Sequence, residues 1–345
     1  MTLTVSLPRC SYPVHIQSGA LHQAGAYLAP LGIRRWAVIA DETVAALYGG
    51  AVLDSLRDAG LAGELLTFPA GEEHKTPETW LALCCQLAQR GFTRFDGVLA
   101  LGGGVTGDLA GFAAACYQRG MTLVQVPTTL LAQVDSAVGG KTAVDLPEGK
   151  NQLGAFYQPS LVIVDPDCLA TLPERQLRSG MAEVIKYGFI RDAALLDLLE
   201  RDAPDWTDII ARCLRVKAAL VAADERDTGA RRLLNFGHTF GHAYEAAGGY
   251  GAYTHGEAVA AGMAAMLRWQ LRRGDDVGEA YDRLLALLAR WRLSAALPCD
   301  VQALAEYLRQ DKKCEGDSLH TVLLRRVGDA YVEDVPLAAL LEGLT

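Results

Sequence analysis

One stretch of the chain combines glycines, acids, lysines and amides in an order that suits phosphate and nucleotide chemistry. The stretch from Val98 to Asn151 reads VLALGGGVTGDLAGFAAACYQRGMTLVQVPTTLLAQVDSAVGGKTAVDLPEGKN. Its apolar start ends in three glycines, and an alanine-rich segment follows, which predicts a strand, a tight turn and a helix. Such a turn places backbone N–H groups beside a helix N-terminus, and this combination binds anions. The long polar segment after Val126 indicates a functional loop.

The glycines match the dinucleotide-binding fingerprint only in part. Gly102, Gly104 and Gly107 have the G-x-G-x-x-G spacing. The next strand, however, is not followed by the acid that the full fingerprint requires. Asp41 and Glu42, directly after an earlier predicted strand, are better placed to bind ribose hydroxyls. We therefore predict that the glycines contact a pyrophosphate; the alternative is a turn that serves helix packing alone.

Two histidines four residues apart suggest a metal site. The segment LLNFGHTFGHAYEA contains His238 and His242, which lie on the same face if the segment is a helix. His255 begins another predicted helix, and Glu183 is a carboxylate in an otherwise apolar helix. Two imidazoles and a carboxylate suit a catalytic zinc ion with an open position, whereas packing of the histidines in an apolar helix is the alternative. The spacing does not decide whether His238 or His242 is the ligand beside His255; the other would be placed as an acid–base or orienting group.

Basic side chains recur in these segments although the net charge of the chain is −9. Asn151 and Asn235 add uncharged hydrogen-bonding groups. Lys186 follows Glu183 closely enough for both side chains to point into one cleft. We therefore predict an anionic substrate such as a phosphate; for each basic residue taken singly, the alternative is a surface charge. The basic residues in question are Arg119, Lys141, Lys150, Lys186, Lys217, Arg231, Lys312 and Lys313.

Composition limits the remaining function classes. The acidic balance argues against nonspecific binding to nucleic acid or anionic membranes. The eight cysteines include no C-x-x-C pair and are typical of small core residues in a reducing compartment. The sequence shows neither a signal peptide nor an apolar run of about 18 residues. We therefore expect a soluble cytoplasmic protein.

Apolar strands alternate with helical segments up to about Asp165, which predicts a parallel, doubly wound α/β sheet. After Pro166 helical periodicity dominates, apart from one predicted strand pair, 321–324 and 330–332. We place the domain boundary near residues 167–172. The sequence thus predicts an α/β NAD-binding domain over residues 1–168, a mainly helical domain for metal and substrate over 169–345, and a substrate site in the cleft between them. The predicted strands of the first domain are 36–40, 65–68, 98–101, 123–126 and 161–164.

Taken together, the motifs resemble those of the 3-dehydroquinate synthase family, one of the sugar phosphate cyclases. The resemblance runs nearly end to end and rests on GGGVTGDLAGFAAA, YQRG, QVPTTLLAQVDSAVGGKTAV, GKNQLGAFYQP, GMAEVIKYG, LLNFGHTFGHA, HGEAVAAGM and DKK. This chain departs from the family pattern at Ala137 and Phe236, which are neighbours of functional positions. The resemblance implies an N-terminal NAD-binding domain, a C-terminal helical metal domain and a homodimer.

The resemblance also implies roles for individual residues. It identifies Glu183, His238 and His255 as zinc ligands, with cobalt as an alternative metal. Lys312 and Lys313 both fit the family's DKK motif. The implied NAD-binding residues are Asp41, Glu72, Lys75, Gly103, Gly104, Val105, Asp108, Thr128, Thr129 and Lys150. The implied catalytic and substrate-binding residues are Lys141, Asn151, Lys186, Lys217, Arg231, Asn235, His242, Arg119, Asp135 and Lys312.

The activity implied by the resemblance is that of a carbon–oxygen lyase in the shikimate pathway, which leads to chorismate and the aromatic amino acids. The substrate, 3-deoxy-D-arabino-heptulosonate 7-phosphate, is converted into 3-dehydroquinate and phosphate. The steps are a transient oxidation by NAD, phosphate elimination, re-reduction and an intramolecular aldol closure. Three alternatives are a cyclase for heptulose phosphates without a carboxylate, a polyol dehydrogenase that accumulates NADH, and a noncatalytic NAD-binding regulator.

Overall fold

Packing separates the secondary-structure elements of the chain into two groups. The computed structural model describes residues 1–249, 252–296, 301–310, 314–315 and 318–342. One group, the sheet unit, comprises Met1–Leu172 together with Lys217–Arg226. The other, the helical unit, comprises Pro173–Val216 together with Asp227–Thr345. Residues 217–226 therefore pack with the sheet unit although they come late in the chain.

The sheet unit alternates short strands with helices, as its apolar runs and intervening polar segments predict. The predicted α/β class is confirmed, and each of the five predicted strands lies within an observed one. The strands are β1 (Thr2–Ser6), β2 (Ser11–Ile16), β3 (Arg35–Asp41), β4 (Ala62–Phe68), β5 (Gly97–Gly102), β6 (Thr122–Pro127), β7 (Lys141–Leu146), β8 (Gly149–Phe156) and β9 (Leu161–Val164). The helices are α1 (Ala24–Leu28), α2 (Glu42–Val44), α3 (Gly50–Asp58), α4 (Pro77–Gln89) and α5 (Gly104–Cys116).

The order of the strands changes direction near the centre of the main sheet. In the described chain, this seven-stranded sheet has the order β1-β2-β9-β6-β5-β3-β4, and only β1 pairs antiparallel to its neighbour. The chain leaves β3 toward β4 on one side, and it leaves β5 toward β6 on the other side. The neighbouring strands β3 and β5 therefore flank a topological switch point, where open α/β sheets bind their ligands.

Both faces of this sheet are covered by helices, so its central strands β3, β5 and β9 consist mainly of buried apolar residues. Trp36 and Leu99 lie in one apolar layer with Leu56 of α3. The alternate strand residues point to the opposite face, where Val98 packs in a second layer with Leu83 of α4. These two layers hold β3 and β5, and hence the residues that follow them, in fixed positions.

Strands β7 and β8 form a separate antiparallel hairpin, in which Lys141 pairs with Phe156. The prediction that the whole polar segment after Val126 is a loop is wrong for these residues. The polar and glycine-rich sequence of β8 hid the strand, because five of its eight residues are exposed and it lacks an apolar alternation.

The helical unit is mainly α-helical, as predicted. Its helices are α6 (Glu174–Ile190), α7 (Ala193–Leu199), the first part of α8 (Trp206–Ala223), α9 (His238–Ala247), α10 (His255–Arg273), α11 (Gly278–Arg290), α12 (Val301–Gln310) and α13 (Leu337–Glu342). Among the residues described, strands β10 (Cys314–Glu315), β11 (Ser318–Arg326) and β12 (Asp329–Pro336) form an antiparallel sheet that contains the predicted strand pair.

Glycines let three helices of this unit approach one another closely. A Cβ atom on Gly262 of α10 would collide with the backbone oxygen of Gly237, the residue before α9. A Cβ atom on Gly256 would collide with the backbone of Ser179 in α6, and the Gly256 N–H donates a hydrogen bond to Ser179 Oγ at 3.0 Å. Helices α6 and α9 therefore both pack directly against the backbone of α10.

No helix in the part of the chain that the structure describes is both long and apolar enough to span a membrane.

Candidate active site

Three helices bring one carboxylate and two imidazoles together in the helical unit. Glu183 lies in α6, while His238 and His255 are the first residues of α9 and α10. The Nε2 atoms of His238 and His255 are 3.5 and 3.3 Å from the same Glu183 oxygen, Oε1. One potential ligand atom from each residue lies within 4.8 Å of the others, so the three residues could hold a metal ion.

Each imidazole belongs to the first residue of a helix, so the contacts at that helix start position the ring. Thr254 caps α10 in a capping box: its hydroxyl accepts a hydrogen bond from the Glu257 N–H at 3.2 Å, and the Glu257 carboxylate accepts one from the Thr254 N–H at 2.8 Å. In the turn before α9, Gly237 has a φ of 81°. The Nδ1 atom of His238 is 3.2 Å from the carbonyl oxygen of Phe236. The ring of His238 is therefore anchored on the side opposite Glu183.

His242 lies beside this group. Its ring centroid is 5.3 Å from that of His238 and 6.2 Å from that of His255. His242, Glu245 and His255 form a second group whose potential ligand atoms lie within 4.8 Å of one another. The first group is the more buried of the two, since His242 is exposed whereas Glu183 and His238 are buried.

Two charge effects dominate this cluster. Lys186 forms an ion pair with Glu183, and both side chains are buried. Burial lowers the pKa of His255, but hydrogen bonds to Glu183 and Glu245 outweigh this effect and raise the pKa to about 10. The surroundings therefore favour a positive charge at His255, and a metal cation bound there would displace the proton.

In the sheet unit, the glycine turn begins α5 at the switch point. Gly103 is the N-cap of α5, and a Cβ atom there would lie 3.0 Å from Cγ2 of Thr129. The Thr128 N–H donates to the Gly102 carbonyl at 3.0 Å, which joins the ends of β5 and β6. Val105 follows in the first turn of α5. A side chain at position 103 would therefore crowd Thr129, and glycine lets the start of α5 lie close to the residues that follow β6.

Asp41 ends β3 on the other side of the switch point. One of its carboxylate oxygens accepts a hydrogen bond from the Val44 N–H at 3.0 Å, and the other is 3.4 Å from the hydroxyl of Thr106 in α5. The structure thus places Asp41 beside α5, the helix that starts at the glycine turn.

A buried lysine organises a second part of this region. Lys75 Nζ is 2.6 Å from an Asp108 oxygen and donates to Asn151 Oδ1 at 2.5 Å. Asn151 has a φ of 55°, and its N–H donates to the Asp145 carboxylate at 2.7 Å. Burial lowers the pKa of Lys75, but the carboxylates of Asp108, Glu72 and Asp145 together outweigh this effect and raise the pKa above its ordinary value. Lys75 therefore remains charged.

Asp135 and Lys217 meet within the sheet unit. Lys217 is buried, forms an ion pair with the Asp135 carboxylate, and donates to the Asp135 carbonyl oxygen at 2.6 Å. Asp135 lies in a π-helical turn, Ala132–Ser136, a local geometry that is frequent at functional sites.

The other predicted site residues lie elsewhere in the two units. Lys150 is 3.6 Å from Glu72, Lys141 begins β7 as an exposed residue, and Arg119 is exposed in a turn after α5. In the helical unit, Arg231 is buried and Asn235 is half-buried, both in the 3-10 turn before α9. Lys312, with its neighbour Lys313, lies outside the described residues.

Sequence reasoning missed two acids in these clusters, Asp145 and Glu245. Asp145 lies in the unpredicted hairpin, so its approach to Asn151 could not be foreseen. Glu245 follows His242 by three residues on α9, and this helical spacing was the available signal.

The fold and clusters define a class of protein with a doubly wound sheet and a helical unit bearing a histidine–glutamate cluster. The chain matches the family descriptions "3-dehydroquinate synthase N-terminal" over residues 65–179 and "3-dehydroquinate synthase C-terminal" over residues 180–314. It is 46% identical to a 3-dehydroquinate synthase of Pelobacter propionicus, over 98% of this chain and 97% of that protein. The chain therefore belongs to the 3-dehydroquinate synthase family, and the predicted family is confirmed.

Solved structures of two other synthases are also similar. A 2-deoxy-scyllo-inosose synthase complexed with carbaglucose-6-phosphate, NAD+ and Co2+ has a TM-score of 0.88 and 27% identity, covering 99% of this chain and 98% of its own. A 2-epi-5-epi-valiolone synthase of Streptomyces hygroscopicus with NAD+ and Zn2+ bound has a TM-score of 0.87 and 32% identity, covering 98% of this chain and 97% of its own. Both similarities extend through the sheet unit and the helical unit.

Proposed function

We propose that this chain converts 3-deoxy-D-arabino-heptulosonate 7-phosphate into 3-dehydroquinate and phosphate, as a carbon–oxygen lyase of the shikimate pathway. The observation that carries the proposal is the convergence of two imidazole Nε2 atoms on one buried oxygen of Glu183, in a chain of this family.

We propose that Glu183, His238 and His255 hold a zinc ion, with cobalt as the alternative. The fit is chemical: one carboxylate and two neutral imidazoles form a zinc donor set that leaves a position open for substrate. When bound, the ion supplies Lewis acidity toward a substrate hydroxyl. The solved synthases with Co2+ and Zn2+ support this choice of metals.

We propose that the glycine turn of α5 binds the NAD pyrophosphate. The N-terminus of α5 at Gly103 fits this group, because a helix start presents backbone N–H groups and no side chain caps this one. Asp41 is assigned to a ribose of NAD. The other residues assigned to NAD are Glu72, Lys75, Gly104, Val105, Asp108, Thr128, Thr129 and Lys150. When bound, NAD would supply a site that accepts a hydride and later returns it, so the reaction would have no net redox change.

The remaining polar residues are assigned to the substrate. The ammonium of Lys217, held by Asp135, and the guanidinium of Arg119 suit a phosphate; Arg231 offers a bidentate fork to a carboxylate. Lys186 offsets the charge of Glu183, and the exposed imidazole of His242 is assigned to proton transfer. The other assigned substrate contacts are Lys141, Asn151, Asn235 and Lys312.

The test measures phosphate release from the heptulosonate phosphate by chelator-treated protein. Zinc and substoichiometric NAD are added separately and together. Release of many equivalents of phosphate per NAD, only with both present and without NADH accumulation, is expected. One NADH per turnover would instead indicate a dehydrogenase. Release only from a heptulose phosphate that lacks the carboxylate would indicate another cyclase.

We further propose a cytoplasmic homodimer. Family membership supports the dimer, and six cysteines of the described chain that form no disulfide support a reducing compartment. Light scattering on the purified protein should give twice the mass of one chain; the mass of a single chain would refute the dimer.

A further inference from the structure

Glu245 is a buried charged residue that the proposed set of metal ligands does not use. It lies in α9, and its side chain is 5% exposed. A carboxylate at such a position is costly unless it has a polar partner. Its Oε2 atom is 3.4 Å from Nδ1 of His255, a residue of α10.

His255 therefore faces a carboxylate at each ring nitrogen. Its Nε2 is 3.3 Å from Glu183, and its Nδ1 is 3.4 Å from Glu245. In the neutral imidazole, a carboxylate at Nδ1 favours the tautomer with the proton on that nitrogen, so Nε2 carries the lone pair once a metal ion has displaced its proton. The carbonyl oxygen of Phe236 likewise lies close to Nδ1 of His238 and favours a proton on that nitrogen. Both imidazoles thus present Nε2 to one oxygen of Glu183.

We propose that Glu245 is a positioning residue that holds the Nδ1 proton of His255 and so directs Nε2 to the metal ion. This inference rests on the proposed metal centre. Histidine ligands commonly donate their second N–H to a carboxylate, which orients the ring and raises the basicity of the ligand nitrogen.

A second arrangement would make Glu245 itself a ligand, together with His242 and His255. In it, the nitrogen of His255 nearest to Glu245 is Nδ1, which would then bind the metal ion. It would also leave no metal ion between Glu183 and the Nε2 atoms of His238 and His255, although these atoms converge there. The proposed arrangement uses both nitrogens of His255, one as a hydrogen-bond donor and the other as a ligand.

The test compares metal affinity across substitutions of Glu245 in the full chain. Chelator-treated wild type and the variants Glu245→Asp, Glu245→Gln and Glu245→Ala are titrated with Co2+ against a chromophoric chelator. We expect Glu245→Ala to bind one ion per chain about 10- to 100-fold more weakly than wild type. Glu245→Asp should recover part of the affinity, and Glu245→Gln, which can still accept the hydrogen bond, should lie between Asp and Ala.

Two controls separate positioning from a structural effect. Glu279→Gln, an exposed site in the first turn of α11, removes one negative charge from the helical unit and should leave the affinity unchanged. The visible spectrum of bound Co2+ reports the number and type of ligands, so it should stay the same in the Glu245 variants.

Two results would overturn the positioning role alone: equal affinity of wild type and Glu245→Ala, or a Co2+ spectrum that shows the loss of a ligand. Failure of wild type to bind Co2+ at one ion per chain would instead overturn the proposed metal centre itself.

Discussion

Single side chains of the candidate site carry charge in buried surroundings, and each charge has a close polar partner. Glu183 is fully buried between Lys186 and two imidazoles, and Lys75 is buried against Asp108. Removing one member of such a group leaves the other with an uncompensated charge, so many substitutions here would alter stability together with activity. His242 is exposed, so its substitution removes no buried charge, and it is therefore the cleaner probe of chemistry.

We expect His242→Ala to lower turnover by about 10²- to 10⁴-fold, the usual loss when an acid–base group is removed. The fold and the metal content should remain, because Glu183, His238 and His255 are untouched. Phosphate release under saturating NAD and zinc measures the first effect, and metal analysis of the same sample measures the second. Turnover close to wild type would remove His242 from the proposed proton transfer.

A second residue-scale prediction concerns pH. Asp275 follows α10 and accepts hydrogen bonds from Arg273 at 2.7 Å and Gln270 at 2.9 Å. Burial raises the pKa of Asp275, but these donors outweigh it and lower the pKa below its ordinary value. The carboxylate thus stabilises the fold above the unfolded pKa of about 3.9, and this contribution is lost as the pH falls through the lower folded value.

The variant Asp275→Asn should therefore be less stable than wild type at pH 7 by up to about 1 kcal/mol, since the group is partly exposed. The difference should shrink as the pH falls from about 5 through the lowered folded pKa. Urea unfolding of both proteins across this range measures it. A difference that grew toward acid would contradict the role given to the carboxylate.

At the scale of helices and strands, what the sequence could predict depended on burial. The central strands β3, β5 and β9 of the main sheet carry buried apolar runs, so these strands were visible in the sequence. The β7–β8 hairpin lacks that signal, since most of β8 is exposed. The family resemblance, rather than the local pattern, was needed to choose His238 over His242. A helix places both on one face, and the packing of α6 decides which of them meets Glu183.

Helix packing also gives a prediction. An alanine in place of a mid-helix glycine usually stabilises a helix by roughly 0.5–1 kcal/mol. At Gly262 the added Cβ would meet the backbone of Gly237, so Gly262→Ala should instead destabilise the protein by about 1–3 kcal/mol. It should also weaken metal binding, because α9 and α10 each begin with a proposed ligand.

The matched control for Gly262→Ala is Gly278→Ala. Gly278 starts α11 and has no atom near an added Cβ, so this change should be neutral or slightly stabilising. Denaturant unfolding with excess chelator measures both variants. Equal stability of the two would show that α9 and α10 tolerate a wider spacing.

For the whole molecule, the proposed metal centre couples ion binding to folding. The three ligands come from three helices distant in sequence, so the unfolded chain does not hold them together. An ion that binds only the folded state adds about 2.7 kcal/mol at a free concentration 100 times its Kd. Zinc should therefore raise the unfolding midpoint of chelator-treated wild type.

The same addition should leave Glu183→Gln nearly unchanged, because the donor set loses its carboxylate. Magnesium, which prefers oxygen ligands, serves as the control ion and should stabilise neither protein. Thermal unfolding with each ion provides the measurement. An equal zinc effect in wild type and Glu183→Gln would place the ion elsewhere.

Because α8 is divided between the two units, the sheet unit of one enzyme cannot be exchanged for that of a relative at a single junction. Residues up to Val216 group with the helical unit, whereas Lys217–Arg226 group with the sheet unit and supply the partner of Asp135. A chimera of two related enzymes joined once, near residue 179, would take Asp135 from one parent and Lys217 from the other. A faithful exchange of the sheet unit must therefore transplant two separate pieces of chain, and a single crossover cannot carry the Asp135–Lys217 ion pair as one block.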